Sequence, residues 1–400
     1  MIIEYYLVIV SCILVIDGFM NKFTRILMLS LYMFIIGGIG SVVFQAYILP
    51  KASSSEVLSK LKLFKKASEN VTIVNKTEQV IIKEDDSISK IASQAGAAVV
   101  NITSVSEKNK SLLNPMSGIK NGTGIVVTSD GLIATYRTAI NEFDSTYKVF
   151  SFNGSSFDAK LIGIDEFTNL AFLKIDTSNL SVISFANSDD LHPGKGLIAI
   201  RNSFEDYQNK YSAGILSNID KTFNIGGKTL SLSEKLEGVF ETDIFNQEDC
   251  LGGPIINYNG ELVGIIGSLT IDNKTKFFQI PSNAVRSSMD LAIKNELGSR
   301  SQIGIYYLPI SKAYAVANNL NRDKGALIYS PSGKQGLAIL SGSPAEKAGL
   351  KINDIITFVG DKEINLDNPL SNLFGQHKKG DLVELTVIRD GQEMKASVNL

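Results

Sequence analysis

The chain has little of what would cross-link it or give it a one-signed surface. Among 400 residues there are two cysteines, Cys12 and Cys250. They lie far apart and Cys12 sits in an apolar run, so no disulfide framework is expected and the redox compartment is not legible from them. Histidine is as scarce, with His192 and His377 the only two. Excess charge is missing too. Lys and Arg number 39 against 41 Asp and Glu, a formal net charge of -2, which gives no sign of a nucleic-acid partner. No cofactor and no metal site is expected. What is present is apolar content, 44% of the chain, enough for two or three globular domains.

Ile26 to Leu49 carries no charged side chain and follows Asn21-Lys22-Phe23-Thr24-Arg25. At about 1.5 Å per residue this stretch exceeds a hydrocarbon core of roughly 30 Å. It reads as an uncleaved membrane anchor. A secretory signal peptide is the alternative, but the apolar part is long for one and Ala46 to Ser55 lacks a clear small-x-small cleavage site. Met1 to Ile16 is apolar apart from Glu4 and short for a span, and Met20 is a candidate translation start. Lys51, Lys60, Lys62, Lys65 and Lys66 after the span outnumber Lys22 and Arg25 before it, which points mildly to a cytoplasmic body. Large domains translocate largely regardless of flanking charge, and the expectation is an extracytoplasmic body. Residues 51–86, rich in Ser, Lys and Glu, read as a stalk.

Farther on, short β-rich runs crowd together: Gly124 to Thr128, Leu132 to Thr135, Tyr147 to Phe152, Phe157 to Ile164 and Leu170 to Ile175. Turn residues separate them, and Glu107 to Asn121 reads as a surface loop. This density argues for a barrel or sandwich. Ile255 to Ile256 and Leu262 to Ile266 form a further pair around Asn257-Tyr258-Asn259-Gly260, a hairpin pattern. Leu251-Gly252-Gly253-Pro254 precedes it, a backbone that must turn sharply and admit a close approach. Asn283 to Leu297 reads as a helix closed by Gly298.

The stretch Asp249-Cys250-Leu251-Gly252-Gly253-Pro254 resembles the nucleophile loop of HtrA (Deg) proteases, which have the trypsin fold and read Gly-Asn-Ser-Gly-Gly-Pro there. The resemblance extends to Gly131 through Ile140 and to Asp165-Glu166-Phe167-Thr168-Asn169-Leu170-Ala171-Phe172-Leu173-Lys174-Ile175. With the N-terminal transmembrane helix read above, it implies a mainly β protein: a trypsin-like double β-barrel and a C-terminal α/β PDZ domain. The PDZ part rests on Ser343 through Leu350, Asn353 through Phe358 and Val383 to Ile388. The expected division is residues 1–50 for the anchor, spanning about 26–49, then 51–86 for the stalk, 87–298 for the protease fold and 299–400 for PDZ.

Carried over position by position, the resemblance places Leu251 at the nucleophile, Thr138 at the general base and Asn169 at the orienting acid. Leucine cannot attack a carbonyl, threonine has no useful pKa near neutrality, and an amide carries no charge to stabilise an imidazolium. The oxyanion loop holds Asp249 where the family has glycine, next to Cys250. A carboxylate there disfavours an incoming oxyanion, and Phe277 is expected to fill space a substrate side chain needs. A thiol site at Cys250 would need an imidazole nearby, and neither His192 nor His377 lies on a segment expected to reach the cleft.

The expectation is therefore a pseudoprotease that binds C-terminal peptides or unfolded proteins in envelope quality control. By resemblance the peptide loop is Gln302-Ile303-Gly304-Ile305, faced by a helix from Asn368 to His377 whose Leu370, Leu373 and Phe374 line a pocket or make ordinary core contacts. Homo- or hetero-oligomers, trimers by resemblance, are expected. An active endopeptidase with an unconventional or partner-completed site and a purely structural anchor are the alternatives.

Overall fold

The structure is a computed structural model, and it describes residues 21–44, 89–106, 108, 118–142, 144–202, 208–227, 230–244 and 248–400. The chain forms two compact units, residues 1–87 and 88–400.

In the first unit, α1 (Lys22–Val43) is a regular helix. Its window Ile26–Val43 has a mean hydropathy of 2.2 and none of it is buried. Apolar side chains face every direction, as with Phe34 at 82% and Ile35 at 51% exposure. At about 1.5 Å per residue it is long enough, and apolar enough, to cross a membrane. The expected end of the span at 45–49, the apolar start 1–16 and the stalk 51–86 lie outside the described residues.

The second unit opens with a short helix, α2, over residues 89–96. A closed barrel follows: β1 (Val99–Ser106), β2 (Ile119–Val126), β3 (Leu132–Tyr136), β4 (Ser145–Ser151), β5 (Ser156–Asp165) and β6 (Leu170–Ile175), in the order β1-β2-β3-β6-β5-β4. Closure removes every sheet edge. Strands β3 and β6 are almost wholly buried, which is why they read as unbroken apolar runs instead of alternating ones. The expected surface loop gives way earlier than its polarity suggests. Ile119 already pairs with Val105 and Asn121 with Thr103, because a long ladder to β1 outweighs the weak strand preference of Lys120 and Asn121.

The second barrel comprises β7 (Gly196–Asn202), β8 (Asn209–Asn224) and, after the two-residue strand β9 (Ser231–Leu232), β10 (Glu237–Thr242), β11 (Pro254–Asn257), β12 (Leu262–Ile271) and β13 (Lys274–Pro281). Strand β9 stands apart from this barrel, whose order is β10-β13-β12-β11-β7-β8. The expected β11–β12 hairpin is present, with Gly260 at φ +79° and Asn257 Oδ1 accepting from the Glu261 amide at 3.0 Å.

Helix α3 (Ser282–Ile293) follows and buries Val285, Ser288 and Ala292. It stops four residues short of the expected end. Asn295 takes the left-handed position at φ 56° that glycine usually fills, a conformation asparagine tolerates through its short polar side chain.

A third sheet is built from β14 (Tyr306–Pro309), β15 (Ala326–Ile328), β16 (Ile355–Val359), β17 (Lys362–Glu363), β18 (Leu382–Arg389) and β19 (Gln392–Asn399), ordered β19-β18-β16-β15-β14-β9 with β17 on β16. Its helices are α4 (Lys312–Ala317), α5 (Pro344–Lys347) and α6 (Leu370–Phe374). Ser343 caps α5 through the Glu346 amide at 3.2 Å, with Pro344 in the first turn. Helix α6 is shorter than the 368–377 expected. Pro369 forces Asn368 out of the helical region and Gly375 closes the far end.

A buried ion pair clips this sheet to the barrels. Asp165 is fully buried and takes Arg300 on both oxygens, at 3.0 and 2.9 Å, with Ser288 Oγ at 2.6 Å and the Phe167 amide at 3.1 Å. Arg300 also donates to the Gly375 carbonyl at 2.7 Å. One guanidinium thus ties the first barrel, α3 and the loop after α6.

Candidate functional site

The loop before β11 is shaped by close backbone approach. A short 3-10 turn, Glu248–Cys250, leads into Leu251. The Leu251 amide donates to the Glu248 carbonyl at 3.2 Å and the Gly253 amide to Cys250 at 2.9 Å. Gly252 has φ +77°, and a Cβ there would overlap Thr135 Oγ1 and the Thr123 carbonyl of the first barrel. A Cβ at Gly253 would come within 2.6 Å of the Ile200 carbonyl. Both glycines are therefore demanded by sterics, in line with the close approach expected there. Across the same seam the Thr123 amide donates to Leu251 at 3.0 Å and the Asn202 amide to Thr123 Oγ1 at 3.1 Å.

The Leu251 side chain is 6% exposed, in a cluster with Cys250, Ala139, Ile244 and Ile266, and Phe277 packs against it half-buried. Thr138 lies on the 3-10 turn Arg137–Ala139 with its side chain in solvent. The Arg137 amide donates to the Asn169 carbonyl at 2.9 Å, so Thr138 and Asn169 sit on adjoining turns and Ala139 joins them to Leu251. Asn169 is held at φ 57°, and its Oδ1 accepts from Lys235 Nζ at 2.9 Å. Lys235 also reaches Glu166. Tyr136 packs edge-on to Phe278 at 6.0 Å, and burial pushes its phenol up to about 12 against hydrogen bonding to Asn169.

Cys250 is buried at 5% exposure in the same cluster. The Asp249 side chain lies outside the described residues. His192 is exposed, beside Asp189, Phe240 and Asn372 around a cleft between the second barrel and α6. His377 is half-buried near Asp381, 3.6 Å away.

In the third sheet, Ile303 and Ile305 are buried, Gln302 is exposed and Gly304 has φ +80°. A Cβ at Gly304 would lie 2.5 Å from the Ser343 Cβ. Leu370, Leu373 and Phe374 are all at 3% exposure or less, inside the core of this sheet.

Residues 122–265 match the family described as trypsin-like peptidase domain, and residues 316–400 match the PDZ domain. The serine protease Do-like HtrA of Bacillus subtilis is 33% identical over 340 residues, covering 80% of this chain and 74% of that protein. The chain belongs to the HtrA family. A probable periplasmic serine endoprotease DegP-like from Hahella chejuensis is 30% identical over 291 residues, 72% of this chain and 58% of that protein, so this HtrA chain spans less than three-fifths of that relative. Among solved structures, the HtrA-type protease AlgW with tripeptide has a TM-score of 0.62 at 21% identity, covering 78% of this chain and 96% of that one. The same protease with decapeptide has a TM-score of 0.58, covering 78% and 97%. Both share the fold.

Sequence reasoning missed a set of polar residues of this HtrA chain where the barrels meet the PDZ sheet. Tyr307 Oη donates to Glu237 Oε2 at 2.7 Å, both groups being buried. Burial pushes the Glu237 carboxyl up to about 7 and the Tyr307 phenol well above its usual range. Asn372 closes the junction, donating to the Glu237 carbonyl at 2.8 Å and accepting from its amide at 3.1 Å. No motif marks these residues. The one available signal nearby was the alternation Leu230-Ser231-Leu232-Ser233, a strand pattern of which Ser231–Leu232 becomes β9.

Proposed function

We propose that this HtrA-family chain is a membrane-anchored pseudoprotease whose work is to bind extended peptides or unfolded chains outside the membrane. The observation that carries the reading is Leu251. At the position expected to attack a carbonyl stands a buried alkyl group, and its amide, needed for an oxyanion, is already hydrogen-bonded to Glu248. Thr138 in solvent and Asn169 engaged by Lys235 offer no base and no charged orienting group.

The proposed division keeps residues 1–50 as anchor, 51–86 as stalk, 87–298 as the protease fold and 299–400 as PDZ. The loop Gln302-Ile303-Gly304-Ile305 is the proposed peptide receptor, since backbone amides and a sheet edge suffice for capture. Association into homo- or hetero-oligomers is part of the reading and is checked by the mass of the detergent-solubilised chain.

The test is incubation of the purified full chain with reduced casein, with electrophoresis and an active-site serine probe. Neither fragments nor labelling are expected. Fragments that vanish with Cys250→Ala would instead establish a thiol peptidase. Protease accessibility in intact cells checks the orientation: digestion of the body only after lysis would place it in the cytoplasm and refute this part.

A further inference from the structure

We propose that residues 231–234 are an internal ligand of the PDZ groove, with the Glu234 side-chain carboxylate standing where the terminal carboxylate of a captured peptide would lie. The inference rests on the peptide-binding reading above and adds what occupies that site.

By connectivity the segment is a loop of the second barrel, between β8 and β10. By hydrogen bonding it is a strand of the PDZ sheet. Ser231 stands opposite Tyr307 and Leu232 opposite Tyr306, antiparallel. The ladder continues through the Ser233 amide, which donates to the Ile305 carbonyl at 3.1 Å. The Ile305 amide donates to Ser233 Oγ at 2.9 Å. One residue on, Glu234 Oε1 accepts from the Gly304 amide at 2.7 Å. Gly304, at φ +80°, turns two successive amides toward this segment, an arrangement suited to an anion. A strand added at the edge with a carboxylate on backbone amides is the way an extended C-terminus is captured.

The seat is also tight. Ser231 and Ser233 are 4% and 3% exposed, and Glu234 Oε2 is buried with no hydrogen-bond partner among the described residues. An incoming peptide finds the β14 edge already used, so binding is an exchange. Its chemistry follows from what it must replace: an extended chain, a free terminal carboxylate, and a small last residue at the place of Ser233. Tethering gives the internal ligand an effective concentration on the order of millimolar, so weak peptides do not displace it.

The experiment compares the full chain in detergent micelles with its Glu234→Ala variant. The probe is a dye-labelled peptide with the sequence of residues 226–233 and a free carboxylate, with its amidated form as control. Amide hydrogen exchange over residues 302–306 is followed without peptide, and exchange over 382–389 reports that the fold is kept. The variant is expected to bind the peptide at least fivefold more tightly than the parent, to ignore the amidated form, and to exchange faster at 302–306. Ser233→Gly should move both readings the same way. Equal affinities in parent and variant, or unchanged exchange at Gly304 and Ile305, would overturn the internal ligand. Faster exchange with no peptide binding in either protein would leave the internal contact standing and remove the groove as a peptide receptor.

Discussion

The loop at Leu251 and the loop at Gly304 use one steric device for different ends. Each places a glycine at positive φ where a neighbour leaves no room for a Cβ. At Gly252 the neighbours are the Thr135 hydroxyl and first-barrel backbone, and the turn seats an alkyl side chain in an apolar cluster. At Gly304 the neighbour is Ser343, and the turn aims amides at a carboxylate. A scaffold built from backbone sterics survives whatever happens to the side chains it presents. Reactive chemistry does not, because it depends on particular side chains, whereas peptide capture depends on amides that every residue supplies.

The largest expected effect is at the clip that joins the two regions. Arg300→Ala leaves the buried Asp165 carboxyl without its ion-pair partner, and should cost about 3 to 5 kcal/mol, read as a large fall in Tm; a change under about 1 kcal/mol would refute the clip. Gly252→Ala comes next, at about 3 kcal/mol or more, because both strain and backbone overlap act. Gly304→Ala carries the same positive-φ strain but a looser closest approach, 2.5 Å to the Ser343 Cβ against tighter overlaps with Thr135 Oγ1 and the Thr123 carbonyl at Gly252, so it should cost less, and chemical denaturation of the pair ranks them.

The junction should also respond to pH. Glu237 has a folded value of about 7, above its ordinary 4.5, through burial. The folded chain keeps a proton there that the unfolded chain gives up, so this stabilisation is complete below about pH 4.5 and is lost as pH rises to about 7, by roughly 3 kcal/mol. Glu237→Gln should flatten that slope in Tm against pH, and an unaltered slope would remove Glu237 as its source.

Leu251→Ser should yield no peptide hydrolysis, for want of a base, and should cost about 2 kcal/mol by exposing a cavity and a hydroxyl to the apolar cluster. Turnover by that single variant would sink our reading of Thr138 and Asn169. The smallest effect is expected at the exposed pair Lys221–Asp367, which links the second barrel to the PDZ side. Lys221→Ala should change stability by at most about 1 kcal/mol, less at high salt.

The apolar runs 132–135 and 170–175, the hairpin around Asn257, the Gly252-Gly253-Pro254 frame and the apolar stretch from Ile26 were legible by themselves. Each is a local pattern whose cause lies within a few residues: strand propensity, turn chemistry, a glycine demanded by crowding, or length against a bilayer. The end of α3 was misjudged because Asn295 serves as well as a glycine, and Asn368 to His377 promised a longer helix than Pro369 permits.

What lay beyond the sequence was every feature that depends on one distant residue meeting another. Nothing in Asp165 announces Arg300, nor in Glu237 its Tyr307, since a charge in the sequence carries no sign of being buried until the fold removes its water. Ser231 to Ser233 could be read as a strand, but which edge it completes was decided only when the second barrel and the PDZ sheet closed on each other. Local chemistry determined the elements; long-range packing decided which of them touch, and so which carboxylate occupies the groove.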